Sequence, residues 1–385
     1  MVTVTLPRPD GTLDQRELAD PPAWPVPAEP FASRVAFAAA HVVADPFGAN
    51  AQGAQAAIDW DDTLAFRRHL WSHGFGVAEA MDTAQRGMGL DWPATQELIR
   101  RSAAEAQAQG GRIAAGAGTD HLTQTASLDE IIAGYAEQLE VVESARAQPI
   151  LMASRQMAAT ATTSDDYHKV YGELLRQARQ PVILHWLGPM FDPALDGYWG
   201  STDIATATDT FLALIRDHAG KVDGVKVSLL DANHEIRLRR ELPDGVRLYT
   251  GDDYNYPELI AGDADAYSDA LLGIFAGIAP AACAALHALD AGDLATYQRV
   301  LEPTVGLSKH LFGTPTYYYK TGIAFLAWLN GHQRGFTMVG GLQSGRDIQH
   351  LAETVRLADH AGLLRDPDLA AQRMAALLHV AGVTA

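Results

Sequence analysis

The residue in this chain with the clearest chemical potential is Lys226. It stands in VDGVKVSLL, residues 222–230, among Val225, Val227, Leu229 and Leu230. Period-two alternation predicts a strand with Val225, Val227 and Leu229 on one face and Gly224, Lys226 and Ser228 on the other. An ammonium on a buried strand is costly unless it is paired or neutralised. A neutral, desolvated amine attacks carbonyl carbon. The iminium it forms is an electron sink, which permits C–C cleavage, C–C formation or dehydration next to it. The competing reading is a lysine with a buried stem and a head that reaches water at a strand end.

Several other groups fall near predicted strand ends. His185 closes QPVILHW on the same face as Ile183, and an imidazole there either moves protons or is a core histidine bonded to a carboxylate. Asp252 and Asp253 follow LYTG. One is expected in the pocket and the other at a helix cap or loop, and alternation does not decide which. An ion pair with Lys226 would raise the lysine pKa and weaken it as a nucleophile. Arg155 is placed either to clamp a substrate carboxylate or on the surface. Glu79, Asp82, His41, Asp45, Asp120 and His121 are the residues from which a divalent metal site could be built, although no H-x-H or H-E-x-x-H pair is present. SKHLFGTPTYYYKTG adds Lys320, the one competitor to Lys226, but in helical sequence. Its neighbours Tyr317, Tyr318 and Tyr319 read as packing. GGLQSGR, residues 340–346, lacks the ending of a phosphate loop and reads as a turn.

Eight strands must position these groups. They are read at residues 35–42, 76–82, 112–118, 148–154, 180–186, 222–230, 245–253 and within 264–275, with helical stretches between them. Among those helices, Ser127 and Glu130 form a capping box and Ser164 is expected to cap 164–178. A strand–helix unit every roughly 25–40 residues implies right-handed crossovers and a parallel sheet, and eight units imply a closed (β/α)₈ barrel. The rival, an open doubly wound sheet, normally begins with a glycine-rich turn, and HVVADPFG is not one. Residues 1–33 read as an N-terminal extension with a short hairpin, 34–290 as the barrel, and 291–385 as a helical region packed on it. Late helices are predicted near 280–299, 303–311, 316–330, 347–357 and 367–379.

A net charge of -18 argues against nucleic acid and anionic membrane surfaces as partners. The single cysteine, Cys283, precludes an intrachain disulfide and reads as a core residue. There is neither a secretory signal pattern nor an apolar run of the roughly 18–20 residues a membrane helix needs, so a cytoplasmic location is expected. A closed homo-oligomer, dimer or tetramer, is expected of a barrel with extra helices.

In this order and spacing, VDGVKVSLLD, LYTGDD and AGDADAYSDALLGIFAGIAP resemble the dihydrodipicolinate synthase and N-acetylneuraminate lyase family of class I aldolase barrels. QPVILHW is similar to that family's fifth strand and YYKTGIAFLAWLNG to a late helix, so the likeness spans residues 34–345. The resemblance implies that Lys226 forms a Schiff base with a 2-oxo acid, with Gly251, Asp253 and Ser268 on the substrate side. Three departures stand out. The family's carboxylate-binding G-T-T/S-G-E is replaced by EAMDTAQRG, residues 79–87, with only Thr83 to supply a hydroxyl. The fourth strand leads into Ser154 and Arg155 rather than a relay tyrosine, and His185 replaces the fifth-strand tyrosine. Pyruvate specificity therefore does not transfer.

The expected protein is a Schiff-base lyase, aldolase or dehydratase acting on a small 2-oxo acid or keto-sugar derivative, with no cofactor. Lys226, His185 and Asp252 are its expected catalytic residues; Thr83, Ser154, Arg155, Gly251, Asp253 and Ser268 are expected to bind substrate. The alternatives are a metal-dependent isomerase, epimerase or hydrolase on the same barrel, and a non-catalytic binding protein.

Overall fold

The computed structural model describes residues 2–81, 86–122 and 125–383. Strands β1 (Val2–Pro7) and β2 (Leu13–Leu18) form an antiparallel hairpin. The next eight strands are β3 (Ala36–Ala39), β4 (Gly76–Glu79), β5 (Ile113–Ala117), β6 (Gln148–Leu151), β7 (Val182–Leu187), β8 (Val222–Ser228), β9 (Arg247–Thr250) and β10 (Asp269–Leu272). They pair in parallel and in chain order, and β10 returns to β3 to close the barrel. The open-sheet alternative is thereby excluded.

Alternation along each strand builds two cores. Phe37, Ala39, Ala78, Ile150, Ile183, Tyr249 and Leu271 fill the barrel interior. Val77, Leu184, Trp186, Val225, Val227, Leu248 and Leu272 point outward and pack under the helices. Trp186, for instance, meets Phe211 and His234 edge-on in that outer layer. Cys283 is buried there too.

Two boundaries differ from expectation. The break expected between 299 and 303 falls instead between the helices Phe275–Asp290 and Leu294–Leu311. Gly292 takes φ +73° and Asp293 accepts a hydrogen bond from the Thr296 amide at 2.9 Å, so turn and cap coincide there, while Pro303 is absorbed inside the second helix. Helix Ser164–Gln177 is capped by Thr163 rather than Ser164, with Asp166 accepting from the Thr163 amide at 3.1 Å. The Ser127–Glu130 capping box is present as expected.

The N-terminal extension lies on the C-terminal helices. Arg16 pairs with Asp359 at 2.7 Å, the Ala19 amide donates to the same carboxylate at 2.8 Å, and Trp24 Nε1 donates to the Gly362 carbonyl at 3.0 Å. No helix among the described residues is long and apolar enough to cross a membrane.

One polar contact crosses the apolar layer beside the barrel mouth. Arg67, from helix Trp60–Ser72, meets the Glu79 carboxylate at the end of β4 through Nε at 2.9 Å and a terminal nitrogen at 2.8 Å. It also donates to the carbonyls of His41 at 2.6 Å and Thr63 at 3.1 Å. Both side chains are buried, so removing one partner leaves an uncompensated charge. Arg67→Met is expected to lower unfolding free energy by about 3–5 kcal/mol in urea titrations, and the double variant Arg67→Met/Glu79→Leu to recover most of that loss.

Candidate active site

Strand register sets the site. His185 of β7 lies beside Lys226 of β8, which lies beside Tyr249 of β9. All three share inward parity, so Lys226 projects into the barrel near its C-terminal rim. His185 Nε2 sits 3.2 Å from Ser228 Oγ, the next inward residue on β8. Gly251 follows β9 and is needed for close approach. A Cβ at that position would lie 2.2 Å from Ser228 Oγ and 3.0 Å from Lys226 Cε, so the lysine stem runs across a surface only glycine leaves open.

The two aspartates divide their work. Asp252 accepts from the amides of Tyr254 at 2.8 Å and Asn255 at 3.0 Å, and from Asn255 Nδ2 at 2.8 Å. Its carboxylate, expected to be catalytic, thus holds the turn into helix Tyr256–Ala261. Asp253, buried like Asp252, is the one whose carboxyl feels the charges of both Lys226 and Lys320. Its Oδ1 accepts from the Ile274 amide at 2.8 Å. Burial pushes its carboxyl up to about 7, against the opposing pull of that N–H and of the Lys226 and Lys320 ammonium charges.

Lys320 is the residue that sequence reasoning underrated. Helix Tyr319–Leu329 is buried on every side, and its lysine reaches back so that Nζ donates to the Ala39 carbonyl at the C-terminal end of β3. Lys226 is 8% exposed and Lys320 2%, and each of the two amines and the Asp253 carboxyl feels the others' charge at the mouth of the barrel. Burial brings the Lys320 amine down to about 7; Asp253 opposes this, and the charges of Arg67 and Lys226 add to it. The signal was available: a lysine in YKTGIAFLAWL, a helix apolar all round, has no solvated face to point to. Tyr319 stacks on Phe312 at 4.1 Å, the packing role expected of that aromatic run.

The remaining candidates have other partners. Ser154 caps helix Arg155–Thr160, accepting from the Met157 amide at 2.9 Å, and its own amide donates to Tyr198 at 2.9 Å. Arg155 is exposed and paired with Asp192, so it is not a buried carboxylate clamp. Ser268 shares parity with the outward residues of β10 and donates to Glu235 at 2.8 Å, away from Lys226. Thr83 and Asp82 lie outside the described residues. Of the proposed metal ligands, Glu79 is held by Arg67, and Asp120 pairs with Arg86 at 2.9 Å. His41 bonds Gln333 at 2.7 Å, and His121 sits 2.7 Å from Gln138. Asp45 accepts from the Phe47 amide at 2.9 Å. Among the described residues no group of three or more such side chains could hold a metal ion. A cleft of about 980 Å³ opens on the same rim, between the segments that follow β3 and β4 and Gly340–Gly345, with Tyr318 in its wall. The predicted glycine turn thus lines a cavity.

A closed parallel barrel with a lysine directed inward at the rim where barrel enzymes keep their chemistry defines the class by fold: a (β/α)₈ barrel. The chain belongs to the protein family of unknown function DUF993, which matches it over residues 4–383. No curated protein matches it. Among solved structures, its fold is similar to the 4-hydroxy-tetrahydrodipicolinate synthase of Methylacidiphilum fumariolicum, with TM-score 0.64, 13% identity, and coverage of 90% of this chain and 99% of that one. It is likewise similar to a dihydrodipicolinate synthase from Bacillus anthracis, with TM-score 0.63, 15% identity and coverage of 85% and 98%. A third likeness is to the chloride-inhibited dihydrodipicolinate synthase of Acinetobacter baumannii complexed with pyruvate, with TM-score 0.60, 15% identity and coverage of 86% and 99%.

Glu235 explains where Ser268 goes. It is fully buried, accepts from Thr250 at 3.0 Å and Ser268 at 2.8 Å, and its carboxyl is pushed up to about 8 by burial against the pull of those hydroxyls. Between the ordinary value of 4.5 and about 8 the folded chain holds a proton that the unfolded chain has shed, so stability falls as pH rises through that window. Glu235→Gln is expected to flatten this fall. Urea midpoints should match the parent near pH 5 and exceed it near pH 8.5.

Proposed function

We propose that this protein is a Schiff-base-forming lyase, aldolase or dehydratase acting on a small 2-oxo acid or keto-sugar derivative. The observation that carries the reading is the inward projection of Lys226 from the sixth barrel strand, with the Asp253 carboxyl and a second amine for company. The reaction needs an amine that is neutral part of the time, and burial favours the neutral form. Lys226 adds to the carbonyl carbon. His185, bonded to Ser228 beside it, moves protons to and from the substrate. Gly251 leaves the space in which the adduct forms.

The pyruvate complex of one fold relative supports a 2-oxo acid as the substrate class. Arg155 is not part of this proposal, because its guanidinium is engaged by Asp192 in solvent. A cytoplasmic location and a closed homo-oligomer belong to the same proposal.

Incubation with a panel of 2-oxo acids and aldoses, followed by borohydride and intact-mass analysis, is expected to add one reduced carbonyl unit on the peptide carrying Lys226. Lys226→Met should abolish the adduct and lower turnover by about a thousandfold or more. Loss of activity to chelators with no adduct in the parent protein would instead point to the metal-dependent alternative.

A further inference from the structure

We infer that Lys320 is a second catalytic residue of this site: the acid that protonates the substrate oxygen while Lys226 adds to carbon, and the base that then removes a proton next to the iminium. This rests on the Schiff-base reading above and names a participant in it.

Three observations carry the inference. First, Lys320 reaches the barrel mouth from outside the barrel proper, and its Nζ bonds to the carbonyl of Ala39, an inward residue of β3. Second, Asp253 is close enough to feel both amines, and each amine feels the other. Two ammonium ions around one buried carboxylate carry a net positive charge in an apolar mouth, so the cluster favours releasing a proton. Third, helix Tyr319–Leu329 has ample apolar contact to dock without an amine, for ten of its eleven residues are buried. An amine at that position is a cost to folding unless it serves the reaction.

The proton count closes. The neutral Lys226 amine forms a C–N bond as the carbonyl π electrons move to oxygen, and the Lys320 ammonium protonates that oxygen. Neutral Lys320 next takes a proton from the carbinolamine nitrogen. It returns that proton to the hydroxyl as the C–O bond breaks and water leaves, giving the iminium and a neutral Lys320. The neutral amine then takes a proton from the adjacent carbon. The C–H electron pair forms the enamine double bond, the iminium nitrogen accepts the displaced pair, and Lys320 is an ammonium again. A group that must be both acid and base in one turnover works best with a pKa near the operating pH, and burial brings the Lys320 amine to about 7. The titratable and charged groups facing it are Asp253 after β9, Lys226 on β8, Arg67 on helix Trp60–Ser72, Glu79 on β4 and His41 after β3.

The test uses the full chain with pyruvate and 2-oxobutyrate as probes. Borohydride trapping is read by peptide mass, and exchange of the carbon-bound protons next to the carbonyl is read by NMR in deuterium oxide. In the parent protein the adduct maps to Lys226 and exchange is fast. Lys320→Met and Lys320→Arg are expected to keep the Lys226 adduct while exchange falls by about 100-fold or more, and to lose the limb of the exchange–pH profile near neutrality. Lys320→Arg keeps a cation against Ala39, so it reports even where Lys320→Met folds poorly. Exchange at the parent rate with an unchanged pH profile in Lys320→Arg overturns the inference and leaves the Schiff-base reading standing. An adduct on Lys320 in place of Lys226 reverses the assignment of the two amines and overturns both roles. No adduct in the parent protein defeats the Schiff-base reading, and the inference with it.

Discussion

The constraint on which the site depends is electrostatic: two lysines and one aspartate are buried together where the barrel opens. Water would solvate each charge separately, but an apolar mouth does not. Such a group of residues lowers its free energy by sharing protons, so burial raises the carboxyl and lowers the amine toward the same range. Neutral amines that can take up and release protons near pH 7 are what carbonyl chemistry requires. In the proposed reaction, the same desolvation that makes the cluster unfavourable for folding is what makes it reactive.

The rest of the architecture holds that cluster in place. Closure of β10 onto β3 gives an interior with no edge, and alternation along β8 directs Lys226 into it. Gly251 keeps the space beside the lysine stem clear, and Asp252 secures the turn that carries Asp253. Lys320 arrives from a helix beyond the barrel, and that helix is anchored in turn: Asn330, just past its end, bonds the Leu363 carbonyl at 2.9 Å. The hairpin and the proline-rich lead-in clamp the same helical region through Asp359 and Gly362. Extension, barrel and C-terminal helices therefore bear on the geometry of one buried cluster, although they are far apart in the chain.

What was legible in the sequence follows from which residues obey a period. The barrel came from the strand–helix period, and the inward faces of Lys226 and His185 from strand alternation, which the structure keeps through β7 and β8. Asp252 and Asp253 stand just past β9, where the chain turns and parity lapses, so only three dimensions separate the loop anchor from the pocket residue. Ser268 was carried by resemblance, against its own parity. It lies two residues before Ala270 on the outward face, and Glu235 claims it there. The strand-end acids looked like metal ligands because a sequence does not show that Arg67 and Arg86 reach across to neutralise them. Lys320 sits in helical sequence, where no strand parity points it inward, and its position at the rim is a tertiary fact.

These departures have a physical logic when taken together. The chain lacks the tyrosine expected after the fourth barrel strand, where Ser154 instead caps a helix and its neighbour Arg155 faces solvent. A Schiff-base reaction still needs a proton donor within reach of the carbonyl oxygen. A phenol held from β6 and an amine held from helix Tyr319–Leu329 are different solutions to that need. A buried phenol is driven upward in pKa, as Tyr135 is, pushed to about 12 by burial. A buried amine is driven downward, toward neutrality. In a mouth this apolar, burial tunes a lysine into the useful range and detunes a tyrosine out of it. On that ground the proposed exchange of acid–base group follows from the desolvation of the site.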